Sequence, residues 1–191
     1  MLNSKYSFKK KMPNMLTIGR IVIIPLFVFL LINPTELSRF WAAIIFIFAS
    51  LTDWLDGYLA RIYNAQSKFG ILMDPLADKI LVMAALVMLS ALPVEQGVPG
   101  WITVLLLGRE LLVTGLRSVA ALDGVPVPAS RAAKHKTGWT MASIILLLFH
   151  QLTISQVEIP CHLLGMIALV IASGLSIFSG IDYAINLKKH Y

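Results

Sequence analysis

Asp53, Asp56, Asp74 and Asp78 are four carboxylates in a chain that is 58% apolar and only 14% charged. An ionisable side chain in such surroundings is costly, so it marks a polar site by default. On a helix, Asp53, Asp56, Gly57 and Ala60 fall at i, i+3, i+4 and i+7, one stripe carrying two acids and two minimal side chains. Asp74 and Asp78 repeat the device at i, i+4 on a following helix. The short polar connection 62–69 lets the two helices run antiparallel with their acids facing. Converging carboxylates repel unless a cation lies between them, and hard oxygen ligands with room for water suit Mg²⁺ or Mn²⁺, which keep open positions for phosphate. Gly57, Ala60 and Gly70 leave space for a bulky anion to approach the backbone. The stretch predicts a metal-dependent phosphate site.

Each residue also has a plainer reading. Asp74 followed by Pro75 suits a helix N-cap, Arg61 suits a cation snorkelling to an interface, and Asp53 with Asp56 suits an ion-paired helix end. Their joint arrival at this spacing favours the site.

The elements that must position these residues are helices. Apolar runs predict about six transmembrane helices: 21–32, from near Ser38 into the Asp53 stripe, 71–92, from Trp101, about 137–149 and about 163–185. The expected fold is an all-α integral membrane protein. Residues 1–12 form a basic interfacial segment with Lys5, Lys9, Lys10 and Lys11, or equally a charged tail, and residues 13–191 form one membrane domain. The run 21–32 stays as the first span, because Asn33-Pro34-Thr35-Glu36 offers no small-residue cleavage site. Pro93 to Gly100 reads as a turn, 131–136 as a basic loop and 151–158 as a polar connection.

Lysine and arginine concentrate at both termini, in Arg61–Lys68 and in Arg131–Lys136, whereas the connections near Pro34, Pro93 and Gln156 hold Arg39 at most. Retention of basic loops in the cytoplasm puts both termini and the acidic stretch on that side. The net charge of +6 then reflects topology and anionic lipid rather than nucleic acid, for which no platform is visible. Cys161 is the single cysteine, so no internal disulfide framework or cysteine metal site is available.

A second group, Arg109, Arg117, Lys134 and Lys136, falls on the same cytoplasmic side in this topology. Arginine grips phosphate with two parallel N–H bonds and lysine adds point charge, which suits a substrate carrying its own phosphate. For any one lysine the topological role competes, and for Arg109 an intramembrane pair with Glu110 does.

The spacing Asp-x2-Asp-Gly-x2-Ala-Arg-x8-Gly-x3-Asp-x3-Asp, carried by Asp53, Asp56, Gly57, Ala60, Arg61, Gly70, Asp74 and Asp78, resembles the signature of the CDP-alcohol phosphotransferases without gap or mismatch. The opening Pro13-Asn14-x-Leu16-Thr17-x2-Arg20 is similar to that family's as well. Gly108-Arg109-Glu110-Leu111, Gly115-Leu116-Arg117 and Lys134-His135-Lys136-Thr137 look like the corresponding stretches of its bacterial phosphatidylglycerophosphate synthase branch. Ala133 and Thr140 depart from that branch, which more often has Gly and Gln there.

The resemblance implies transfer of the phosphatidyl group of CDP-diacylglycerol to glycerol 3-phosphate, giving phosphatidylglycerol phosphate and CMP. It implies two divalent cations on Asp53, Asp56, Asp74 and Asp78, with Asp78 as base, and CDP contacts from Asn14, Asp56, Gly57, Ala60, Arg61 and Gly70. Acceptor phosphate would meet Arg109, Arg117, Lys134 and Lys136. A homodimer in the cytoplasmic membrane is implied too. The signature does not choose the alcohol, so CDP-dependent cardiolipin synthase and inositol-phosphate transferase are rivals. A cation or proton transporter with a carboxylate relay is the rival outside the family.

Overall fold

The computed structural model describes residues 19–63, 68–93, 95–123, 131–150, 152–154 and 157–188, with the side chains of 53–63, 68–75, 78, 121, 131–134, 152–154 and 157–158 outside that description. The basic segment 1–12 and Asn14 lie outside the described residues. The described chain is helical: α1 (Gly19–Ile32), α2 (Glu36–Tyr63), α3 (Lys68–Ser90), α4 (Gly100–Leu122), α5 (Arg131–Phe149) and α6 (Cys161–Lys188). A small antiparallel hairpin, β1 (Leu152–Ile154) and β2 (Val157–Ile159), joins α5 to α6, pairing Leu152 with Ile159 and Ile154 with Val157. The chain divides into two units, Met1–Met88 and Leu89–Tyr191, with the boundary inside α3.

In the first unit, α2 starts on a reciprocal cap. Thr35 N–H donates to Ser38 Oγ at 2.9 Å and Ser38 N–H donates to Thr35 Oγ1 at 3.2 Å, which satisfies two amides that no helical carbonyl can reach. Glu36 in the first turn complements the helix dipole. Phe27 of α1 and Phe46 of α2 are fully buried with ring centroids 6.1 Å apart, and Leu31 of α1 and Ala42 and Ala43 of α2 are buried as well.

The second unit opens with a tight turn after α3. Leu89 carbonyl accepts from Leu92 N–H at 3.4 Å and Val98 N–H at 3.1 Å, and Pro93 carbonyl accepts from Gln96 N–H at 2.8 Å. Gly97 is required here: a Cβ would stand 2.3 Å from Leu89 carbonyl oxygen. At the far end of α5, His150 takes a left-handed φ of 54° and its N–H donates to Leu146 carbonyl at 3.1 Å, an αL cap that a histidine tolerates. His162 then donates its amide to His150 carbonyl at 3.0 Å, tying the start of α6 to the end of α5.

α6 packs along α5 and against α4. Its buried residues, Cys161, Gly165, Ala168, Leu169, Ala172, Ser176, Ser179 and Tyr183, recur at three- and four-residue steps and form one stripe. Small side chains on that stripe let helix backbones approach. Gly165 shows how closely, since a Cβ there would lie 2.8 Å from Leu147 Cγ and 3.1 Å from the Leu147 amide nitrogen. The other faces of α6 are apolar as well, with Phe178 65% exposed, and α4 leaves Val104 and Leu112 71% and 70% exposed. Helices apolar all round require apolar surroundings. Among the described residues α6 is the helix long and apolar enough to cross a membrane, while Gly19–Ile32 and Lys79–Ser90 are shorter apolar helices. α4 falls short of that composition because Arg109, Glu110 and Arg117 interrupt it.

Two sequence expectations change. The stretch 131–136 is not a loop but the first turns of α5, as alanine, lysine and arginine favour helix. The polar connection before α6 is folded into the hairpin, which pairs its backbone groups.

Candidate functional site

All the signature residues lie inside helices. Asp53, Asp56, Gly57, Ala60 and Arg61 are on α2, and Gly70, Asp74 and Asp78 are on α3. The side chains of all eight lie outside the described residues. Their helical setting still removes two of the plainer readings. α3 begins at Lys68, so Asp74 and Pro75 are within the helix and Asp74 does not cap it. α2 runs on to Tyr63, so Asp53 and Asp56 do not form its end. Pro75 has no N–H for the Ile71 carbonyl, a local break in the ladder beside Asp74 that a helix accepts only at some cost.

The basic group has a defined geometry in the second unit. Arg109 is the tenth residue of α4, deep in the helix rather than at its end. Its Nε–H donates to Ser176 carbonyl at 2.8 Å, Nη2 to Ser179 Oγ at 2.6 Å and Nη1 to Glu110 Oε2 at 3.3 Å. Gly180 makes room for this side chain, its would-be Cβ lying 3.3 Å from Arg109 Nε. Lys136, on the second turn of α5, donates to the same Glu110 oxygen. Arg109, Glu110 and Lys136 are 13%, 25% and 12% exposed at the side chain. Among the described residues, one carboxylate therefore faces two cations in a mostly buried setting.

Further along α4, the Arg117 guanidinium carbon lies over the Tyr183 ring at 5.4 Å from its centroid. The contacts of Arg109 with Ser176 and Ser179, and of Arg117 with Tyr183, advance along both helices in the same sense, so α4 and α6 run parallel. The hydroxyls nearby turn inward to their own helices: Thr114 Oγ1 donates to Glu110 carbonyl at 2.7 Å and Thr140 Oγ1 to Lys136 carbonyl at 2.9 Å. Such bonds let a polar residue sit in an apolar helix without an unmet donor.

The structure thus brings Arg109 and Lys136 together through Glu110, and carries Arg117 on a separate aromatic contact. Lys134 is on the first turn of α5, its side chain outside the described residues. The pair of Arg109 with Glu110, one of the two sequence readings of Arg109, is present in the geometry. Sequence reasoning missed Ser176, Ser179, Gly180 and Tyr183. The signal was available as polar and minimal residues at i, i+3, i+4 and i+7 within an apolar helix.

A metal group of three or more acid, histidine or cysteine side chains is absent among the described residues, which do not include the four aspartate side chains. What the fold shows of that donor set is two acids on each of two successive helices, all oxygen ligands suited to a hard divalent ion.

Comparison with known proteins agrees with the signature. The CDP-alcohol phosphatidyltransferase family profile matches residues 10–178, and the chain belongs to that family. It is 38% identical over 182 residues to a CDP-diacylglycerol–glycerol-3-phosphate 3-phosphatidyltransferase of Rickettsia felis, covering 95% of this chain and 98% of that one. Proteins of the same description from Bacillus subtilis and Pseudomonas fluorescens are each 37% identical, with 90% of this chain and 92% and 87% of theirs covered.

Proposed function

We propose that this chain transfers the phosphatidyl group of CDP-diacylglycerol to sn-glycerol 3-phosphate, producing phosphatidylglycerol phosphate and CMP. The observation that carries the reading is the cationic group of Arg109, Lys136 and Arg117 on α4 and α5, in a chain similar over nearly its whole length to transferases described by that activity. A second phosphoanion, besides the diphosphate, is what such a group is suited to receive.

In the proposed reaction the C1 hydroxyl of glycerol 3-phosphate attacks the phosphorus that bears diacylglycerol. A new P–O bond forms there as the bond to the CMP oxygen breaks, and CMP departs. Asp78 takes the hydroxyl proton; a carboxylate is a weak base for an alcohol, so the transfer accompanies attack rather than preceding it. Asp53, Asp56 and Asp74, with Asp78, would hold two divalent cations, Mg²⁺ or Mn²⁺. When bound, these ions supply neutralisation of the diphosphate and of the departing CMP. By the family resemblance, Gly57, Ala60, Gly70, Arg61 and Asn14 would contact the CDP moiety, where glycine and alanine leave room for a bulky anion. Arg109, Arg117, Lys134 and Lys136 would bind the phosphate of the acceptor.

The protein works as a multi-pass protein of the cytoplasmic membrane, with both termini and the site towards the cytoplasm. Supporting this are the exposed apolar faces of α4 and α6 and the distribution of basic residues along the chain. Its lipid substrate can keep its acyl chains in the bilayer. A homodimer is the assembly that the family resemblance implies. The experiment is incorporation of label from glycerol 3-phosphate into a chloroform-soluble product by the purified protein with CDP-diacylglycerol and Mg²⁺. A product with the mass of phosphatidylglycerol phosphate is expected, and label that stays in the aqueous phase would refute the reading.

A further inference from the structure

One face of α6 holds both arginines of α4. Ser176 and Ser179 take Arg109 through three-point geometry with Glu110, and one turn on, Tyr183 lies beneath Arg117. The two arginines are held differently. Arg109 uses three of its N–H groups on protein acceptors, whereas a ring contact consumes none of the five donors of Arg117. Arg117 is exposed, while Tyr183 is only 4% exposed, so the ring is the fixed partner and the guanidinium the presented one.

The phenol hydroxyl of Tyr183 is buried and has no hydrogen-bond partner. The part of this side chain that meets Arg117 is the ring face. An aromatic face attracts a guanidinium, more strongly where water is excluded. A long flexible arginine otherwise loses rotamer freedom when it binds an anion. Holding it beforehand removes part of that cost.

We propose that Tyr183 is a positioning residue for the acceptor: its ring holds the Arg117 guanidinium ready to receive the phosphate of the alcohol substrate. The inference rests on the acceptor reading given above for Arg117. It assigns α6 a part in acceptor recognition.

The test measures KM separately for glycerol 3-phosphate and CDP-diacylglycerol with the purified full-length protein in mixed micelles, for Tyr183→Leu, Tyr183→Phe, Arg117→Ala and the Tyr183→Leu/Arg117→Ala double variant. Loss of the ring should raise KM for glycerol 3-phosphate by about two- to thirty-fold, with KM for CDP-diacylglycerol unchanged. Tyr183→Phe should rescue most of that rise, and Tyr183→Leu should add nothing once Arg117 is alanine. Should leucine prevent folding, Tyr183→Met fills the same space without a π face and serves the same comparison.

Equal rises in both KM values would mean a merely structural residue and overturn the proposal. So would phenylalanine as impaired as leucine, or additive losses in the double variant. If Arg117→Ala raises KM for glycerol 3-phosphate while Tyr183→Leu does not, this inference fails and the acceptor reading survives. If Arg117→Ala leaves that KM unchanged, the acceptor reading itself fails for Arg117, and the positioning role with it.

Discussion

Lys136 of α5 donates to the Glu110 oxygen of α4 that also accepts from Arg109, so a single carboxylate joins residues on two helices and holds two cations close together. Without it the cations would repel in a setting with little water. Glu110→Gln keeps the shape and removes the charge. It should cost about 1.5–3 kcal/mol of stability, the usual worth of hydrogen bonds to charged groups, and raise KM for glycerol 3-phosphate. Thermal unfolding in detergent together with acceptor kinetics checks both, and a variant with unchanged midpoint and KM would deny Glu110 this role.

Asp78→Asn tests the proposed base. Loss of general base assistance should lower the rate by roughly 10²–10⁴-fold, while dependence on Mg²⁺ or Mn²⁺ persists through Asp53, Asp56 and Asp74. Full activity would remove Asp78 as the proton acceptor.

Gly97→Ala tests the turn between α3 and α4. The added methyl would meet a carbonyl oxygen at 2.3 Å and Leu92 Cβ at 2.9 Å, and the Leu89 carbonyl is already held by two amides. Such overpacking costs about 1–3 kcal/mol, so the unfolding midpoint should fall by about 2–12 °C. An unshifted midpoint would show that the turn can relax.

Much of this was legible in the chain. Hydropathy located the six helices, because a backbone in apolar surroundings must bond to itself, and the fixed spacing of the acidic signature pointed to the family that the comparisons support. The start of α5 was not legible: charged residues before an apolar run read as a loop when burial is judged from composition. Once Arg131–Lys136 is helical, Lys136 reaches Glu110, a pairing between positions 26 residues apart that local sequence cannot reveal. Ser176, Ser179 and Tyr183 share one face of an apolar helix by their spacing, but what that face meets was not legible. The parallel course of α4 and α6 shows that it receives arginines. The hairpin before α6 was equally hidden, since three-residue strands carry almost no periodicity.

Topology is open to a direct check. Gln96 is exposed in the turn before α4, and Cys161, the single natural cysteine, is buried. A Gln96→Cys variant should therefore react with a membrane-impermeant maleimide added outside intact cells. Labelling only after the cytoplasm is opened would invert the proposed orientation.

The most direct measurement is CMP release by the purified protein given CDP-diacylglycerol and Mg²⁺, with glycerol 3-phosphate, inositol phosphate or phosphatidylglycerol as acceptor. Release with glycerol 3-phosphate alone, abolished by EDTA, is the predicted result. Release driven by either other acceptor would contradict the proposed substrate, and no release with any of them would contradict the proposed reaction.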